Sequence, residues 1–137
     1  LPHPCLMNWY RDWYPKWNNY KKVIPRDLKL DRTSLLHWFM DDGYSYWVSH
    51  KNGKRKYLRV EFATQCFNGS ELETLARSIL DVLNIRMAVR LHKKNGRTCG
   101  TGYEMHVQQN QKDVERFFEV IGPCPVPSLA YKWKIPS

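Results

Sequence analysis

Between residues 55 and 65 the chain alternates in type. Leu58, Val60 and Phe62 fall on one side of an extended strand, and Arg55, Tyr57, Arg59, Glu61 and Gln65 fall on the other. The pattern recurs downstream. Ile85, Met87, Val89 and Leu91 alternate with Arg86, Arg90 and His92; Tyr103, Met105 and Val107 alternate with Glu104 and His106. A basic loop, Lys93-Lys94-Asn95-Gly96-Arg97, joins these two strands, and Tyr46 and His50 belong to a further strand upstream. Side chains of this kind on one sheet face hydrogen-bond phosphates and base edges, and a sheet ribbon fits the major groove of DNA. A second group stands apart. Asp41 and Asp42 close an apolar run, Leu35-Leu36-His37-Trp38-Phe39-Met40, and Gly43 follows them. By residue type alone, Asp-Asp-Gly most often marks a helix end.

The elements that must position these groups are legible in order. Asp31 is placed to cap a helix running to about Asp42, which Gly43 is expected to end in a left-handed conformation. Strands follow over Tyr44 to His50 and Arg55 to Thr64, with Asn52-Gly53 as the hairpin signal between them. After the Asn68-Gly69 turn, Ser70 and Glu73 have capping-box spacing, and Leu72, Leu75, Ala76, Ile79, Leu80 and Leu83 form one apolar helical face. The strands around Val89 and Met105 come next. The last helix carries Val114, Phe117, Phe118 and Ile121 on one face and stops before Pro123, Pro125 and Pro127. The order is αββαββα: an α+β layer architecture in which helices cover one face of a four-stranded antiparallel sheet and leave the polar face open. Residues 1–32, rich in Trp, Tyr and Pro, are expected to pack onto the domain of residues 33–137; a short helix over Met7 to Tyr14 is expected there.

The chain has 137 residues, enough for one domain with a core, and 22 Lys and Arg against 13 Asp and Glu give a formal charge of +9. That surplus suits a polyanionic partner. No apolar run approaches the ~20 residues of a membrane span, and Leu1 to Met7 lack a signal-peptide pattern. Cys5, Cys66, Cys99 and Cys124 are scattered, without zinc-ligand spacing or a disulfide framework, so free thiols in a reducing, intracellular compartment are expected.

Several stretches resemble the LAGLIDADG homing endonucleases. Leu35 to Gly43, above all Trp38-Phe39-Met40-Asp41-Asp42-Gly43, is similar to the second-copy form of that motif. Lys21 to Pro25 resembles the linker before a second motif, Ala63 to Phe67 the end of the second strand, and Pro127 to Lys132 the closing segment. The resemblance covers nearly the whole chain and implies a site-specific double-stranded-DNA endonuclease, or one half of it. Relatives that splice intron RNA as maturases, or bind without cutting, are the alternative. By motif position, Asp42 is implied to hold a divalent metal, Mg²⁺ or Mn²⁺, with the Asp41 main-chain carbonyl as a further ligand; Gln65 is implied near the catalytic waters. Arg90 falls where a lysine is usual, and keeps the charge without serving as a base at neutral pH. His37 and Asp41 occupy motif positions where small residues let two helices approach. Two identical copies would oppose like charges there, so the resemblance implies a non-identical second half more readily than a homodimer.

Overall fold

The computed structural model describes residues 3–53, 56–94 and 97–134, with the backbone alone over 92–94 and 97–101. Its elements are α1 (Pro4–Trp13), α2 (Arg32–Asp42), β1 (Gly43–Ser49), β2 (Lys56–Phe62), α3 (Gly69–Leu83), β3 (Met87–Lys94), β4 (Arg97–Val107) and α4 (Gln111–Ile121), with short 3₁₀ helices at Lys16–Asn18 and Pro127–Lys132. From α2 onward this is the expected αββαββα order. The four strands form one antiparallel sheet in the order β1-β2-β4-β3.

Helices α2, α3 and α4 cover the apolar face of the sheet because the alternating strand residues meet their apolar stripes there. Leu35, Phe39, Val60, Phe62, Leu72, Ile79, Met105 and Phe117 are fully buried in this layer. Phe39 is its hub. Its ring makes edge-on contacts with Phe62, Phe117, Phe118 and Trp133, with centroids 5.1–6.1 Å apart, the geometry that aromatic quadrupoles favour. Leu91, expected to point inward, is 44% exposed, since β3 runs on past its helical cover.

Two local expectations are corrected. The capping box of α3 lies two residues earlier than Ser70 and Glu73: Asn68 accepts the Glu71 N–H at 2.9 Å, and the Glu71 carboxylate accepts the Asn68 N–H at 3.0 Å. Glu71 also accepts the Ile24 N–H at 3.1 Å, which ties the N-terminal segment to the domain. At the end of α2, Gly43 is not left-handed. Its φ of −89° and ψ of 154° are extended, and the helix passes directly into β1. The glycine is required for closeness instead: a Cβ there would lie 2.2 Å from Phe39 Cδ2 and 2.7 Å from the Phe39 carbonyl oxygen. Gly43→Ala is therefore expected to lower stability by about 1–3 kcal/mol or more, the cost of overpacking against a backbone that cannot rotate away. Denaturant unfolding checks it; an unchanged midpoint would mean that the Phe39–Gly43 contact is loose.

The N-terminal segment attaches through Trp13, Ile24, Leu28 and Leu30. Most of its other aromatics stay outside: Trp9 is 61% exposed, Trp17 76% and Tyr20 58%, while Tyr14 is half-buried.

Candidate nucleic-acid and metal site

The carboxylates sit where helix gives way to sheet. Asp42 is the last residue of α2, and its carbonyl accepts the Ala63 N–H at 3.0 Å. That bond sets the end of α2 against the exit of β2, two residues before Gln65. Thr64, fully buried, accepts the Met105 N–H at 3.0 Å and donates to the Tyr103 carbonyl at 3.3 Å, so the exit segment is held to β4. The fold thus brings Asp42 and the Gln65 segment to one corner. Both Asp41 and Asp42 are exposed and border a cleft of about 380 Å³ whose apolar wall includes Trp9, Trp13, Trp38 and Phe67.

Sequence reasoning missed a cation at this corner. Lys132, in the closing 3₁₀ helix, is 8% exposed, and its ammonium donates to the Met40 carbonyl at 2.5 Å and lies 3.5 Å from the Asp41 carbonyl. The Lys132 carbonyl in turn accepts the Ser45 hydroxyl at 2.6 Å, which fastens the closing segment to β1. These carbonyls belong to the negative end of the α2 dipole, a favourable place for a positive charge. The Asp41 carbonyl, implied as a metal ligand, therefore already has an ammonium beside it. Pro127 to Lys132 was visible as a recognisable segment, but nothing in its composition says that its lysine folds back onto a helix end.

Arg90 is elsewhere. It lies on the edge strand β3, where its guanidinium pairs with Glu104 and donates to Glu61 at 2.8 Å. Glu61, 2% exposed, also accepts the hydroxyls of Tyr44 at 2.6 Å and Tyr46 at 3.0 Å and pairs with Arg59. The Tyr44 and Tyr46 rings stack with centroids 5.9 Å apart. Burial and the Glu61 carboxylate raise both phenols above their ordinary pKa. His106 beside them is pushed down to about 4 by burial and by the Arg59 and Arg90 charges, so the imidazole is neutral at pH 7.

The alternation predicts an open polar face, but its centre is closed. Arg59, Glu61, Glu104 and His106 are buried in their own network. The reason is charge pairing: two arginines and two glutamates at neighbouring register positions pair with one another across the face. Of the other residues expected on this face, His50 and Arg86 are exposed, and Tyr46, Tyr57, Gln65 and Arg90 are half-buried. Arg55 and the side chains of His92, Lys93, Lys94 and Arg97 lie outside the described residues.

Oxygen donors at an exposed helix end fit Mg²⁺ or Mn²⁺, which keep several waters and need few protein carboxylates. Among the described residues no cluster of three or more His, Cys, Asp or Glu forms a closed cage.

The family model for the LAGLIDADG DNA endonuclease family matches residues 1–114. The chain belongs to that family. A relative, probable intron-encoded endonuclease 1 of Wickerhamomyces canadensis, is 31% identical over 117 residues, covering 83% of this chain and 46% of the relative. The homing endonuclease I-WcaI, solved bound to its DNA recognition sequence, superposes with a TM-score of 0.67 at 28% identity, over 87% of this chain and 49% of that one. The chain spans about half the length of these relatives. As a LAGLIDADG protein it carries its motif on α2, with Asp42 at the helix end and the paired sheet face beyond it. Among the described residues no helix is long and apolar enough to cross a membrane, and Cys5, Cys66 and Cys124 are free thiols.

Proposed function

We propose that this chain is one half of a homing endonuclease that hydrolyses double-stranded DNA at a specific site. The observation that supports the reading is the corner where exposed Asp42 is set against the Gln65 segment, with the Lys132 ammonium on the carbonyls of the same helix end. A divalent metal held there would stabilise the attacking and leaving oxygens at the scissile phosphate. Asp42 would hold such an ion by its carboxylate. Gln65 orients water at the β2 exit. Lys132 fixes the helix end and supplies positive charge toward the phosphate. Tyr46, His50, Tyr57, Arg86 and Arg90, with the basic stretch Lys93 to Arg97 of the sequence, contact the duplex, while Arg59, Glu61 and His106 hold the face in shape.

One corner of this kind serves one strand, so cutting both requires a second motif. The exposed stripe of α2 carries Thr33, His37 and Asp41. Facing it with a second copy would bring Asp41 toward Asp41; a non-identical half with small residues at the matching positions fits better.

The test pairs binding with cutting. A duplex titrated with the chain at several salt concentrations is expected to show log affinity falling by about 0.9 per log unit of salt for each phosphate contacted. A randomised duplex pool treated with the assembled two-motif protein is expected to yield cut sequences with Mg²⁺ and none with a chelator. Salt-independent binding would remove the nucleic-acid reading; steep binding with no cutting would leave a binding or RNA-splicing module.

A further inference from the structure

Between Trp13 and Arg26 the sequence carries Lys16, Lys21, Lys22 and Arg26 and no acid, interleaved with Trp17 and Tyr20. The expected use of such aromatics is burial, yet Trp17 is 76% exposed and Tyr20 58%. The segment is held in place nonetheless. Pro15 is buried, and its carbonyl accepts the Tyr20 N–H at 3.2 Å. The Asn19 N–H donates to the Lys16 carbonyl at 3.1 Å, and the Val23 N–H donates to the Trp13 carbonyl at 2.8 Å. Asn19 and Tyr20 take left-handed φ values of 52° and 57°, which a bulky side chain rarely adopts. The turn thus fixes Trp17 outward at a set place.

Trp17 and Arg26 line two adjoining clefts. One, of about 420 Å³, runs from them to the start of α3 at Asn68 and Ser70. The other, of about 500 Å³, lies between them and Arg11, Asp12 and Asp27. Arg26 is exposed and makes no ion pair among the described residues. Glu71, at the wall of the first cleft, is committed to the Ile24 and Asn68 N–H groups. Helix α3 covers the apolar face of the sheet, so this surface lies on the helix side of the domain, separate from the polar face.

A fixed, exposed indole flanked by clefts, with an unpaired guanidinium and lysines around it, suits unpaired bases. Their free faces stack on aromatic rings, and their phosphates need cations. The bases of a duplex are already stacked on one another and offer an indole no free face. We propose that the Pro15–Arg26 segment is a second nucleic-acid site, which takes single-stranded nucleotides by stacking them on Trp17 and Tyr20, with Lys16, Lys21 and Arg26 at the phosphates. The carboxylates of Asp12 and Asp27 in the second cleft accept base amino groups, as acidic side chains do from cytosine. A DNA strand and an RNA both supply such nucleotides. The site shares no residue with Asp42 or the sheet, so it does not rest on the nuclease reading.

The test titrates the chain with a fluorescent single strand of about 12 nucleotides, as DNA and as RNA of the same sequence, beside a labelled duplex. Trp17→Ala and Arg26→Ala change exposed residues and are expected to melt within about 2 °C of the parent. Trp17→Ala is expected to weaken single-strand binding about 10-fold or more, the effect of losing a stacking ring, while duplex affinity stays within about 2-fold. Trp17→Phe, which keeps a ring, recovers part of the loss. Arg86→Ala, on the sheet, is expected to do the reverse: it weakens the duplex and spares the single strand. Tighter binding of the RNA names RNA as the source, through its 2′-hydroxyls; DNA bound as tightly names a DNA strand. A chain that binds no single strand, an unchanged single-strand affinity in Trp17→Ala, or an equal loss for the duplex would overturn the proposal. Failure of duplex cleavage would leave it standing.

Discussion

Asp42→Asn is expected to reduce metal-dependent cleavage by the assembled protein about 10³-fold or more while DNA affinity stays within a few-fold. The amide keeps the size and the helix end but gives up the anionic oxygens. A hard divalent ion loses its protein anchor, and the several kcal/mol of charge stabilisation that such an ion supplies correspond to three or more decades in rate. Affinity is spared because it rests on the sheet and on phosphate contacts elsewhere. Asp42 is exposed, and its structural bond runs through the main-chain carbonyl to Ala63, so the substitution leaves the fold standing. Single-turnover cleavage with Mg²⁺, run beside a binding titration, reads both quantities. Cleavage close to that of the parent would remove Asp42 from the metal role.

Lys132→Met is expected to have the second largest effect, and it should act twice. The ammonium satisfies the Met40 carbonyl and approaches that of Asp41. Methionine fills the same space with no donor. Losing a charged hydrogen bond costs about 1.5–3 kcal/mol, which lowers the unfolding midpoint. The end of α2 is then free to shift, and the positive charge on its last carbonyls is gone, so cleavage per folded molecule is expected to fall about 10²-fold or more, the magnitude seen when one preorganised donor is removed from an active site. Lys132→Arg keeps the charge but presents a wider planar group to a site of 8% exposure, and should recover stability only in part. A purely structural lysine would show the stability loss with cleavage per folded molecule unchanged.

What the sequence discloses and what it hides follow a physical division. Periodicity is local and fixes which face each strand and helix buries, so Leu58, Val60, Phe62, Leu72, Ile79 and Phe117 were legible as core, and with them the αββαββα order. Asp31 was legible as a cap because its bond to the Ser34 N–H, 2.7 Å, spans three residues. Contacts between distant segments are not written in local pattern. Lys132 reaches back across the chain to Met40. Arg59, Glu61, Arg90 and Glu104 come from three strands, and the alternation that sends them outward cannot say that they will pair and close the face they share. Gly43 shows the same limit in a smaller space: its position at a helix end was plain, but the Phe39 ring that demands it is set by tertiary packing.

The central claim is that the end of α2 holds a divalent metal, and the most direct measurement is a Mn²⁺ titration of the ¹⁵N-labelled chain in the presence of duplex DNA. Paramagnetic broadening falls off steeply with distance and registers even weak binding. The amides of Asp41, Asp42 and Gly43, with those of Ala63 and Gln65 across the corner, are expected to broaden first, and Asn at position 42 to abolish the effect. Broadening that begins elsewhere while these amides stay sharp would contradict the account.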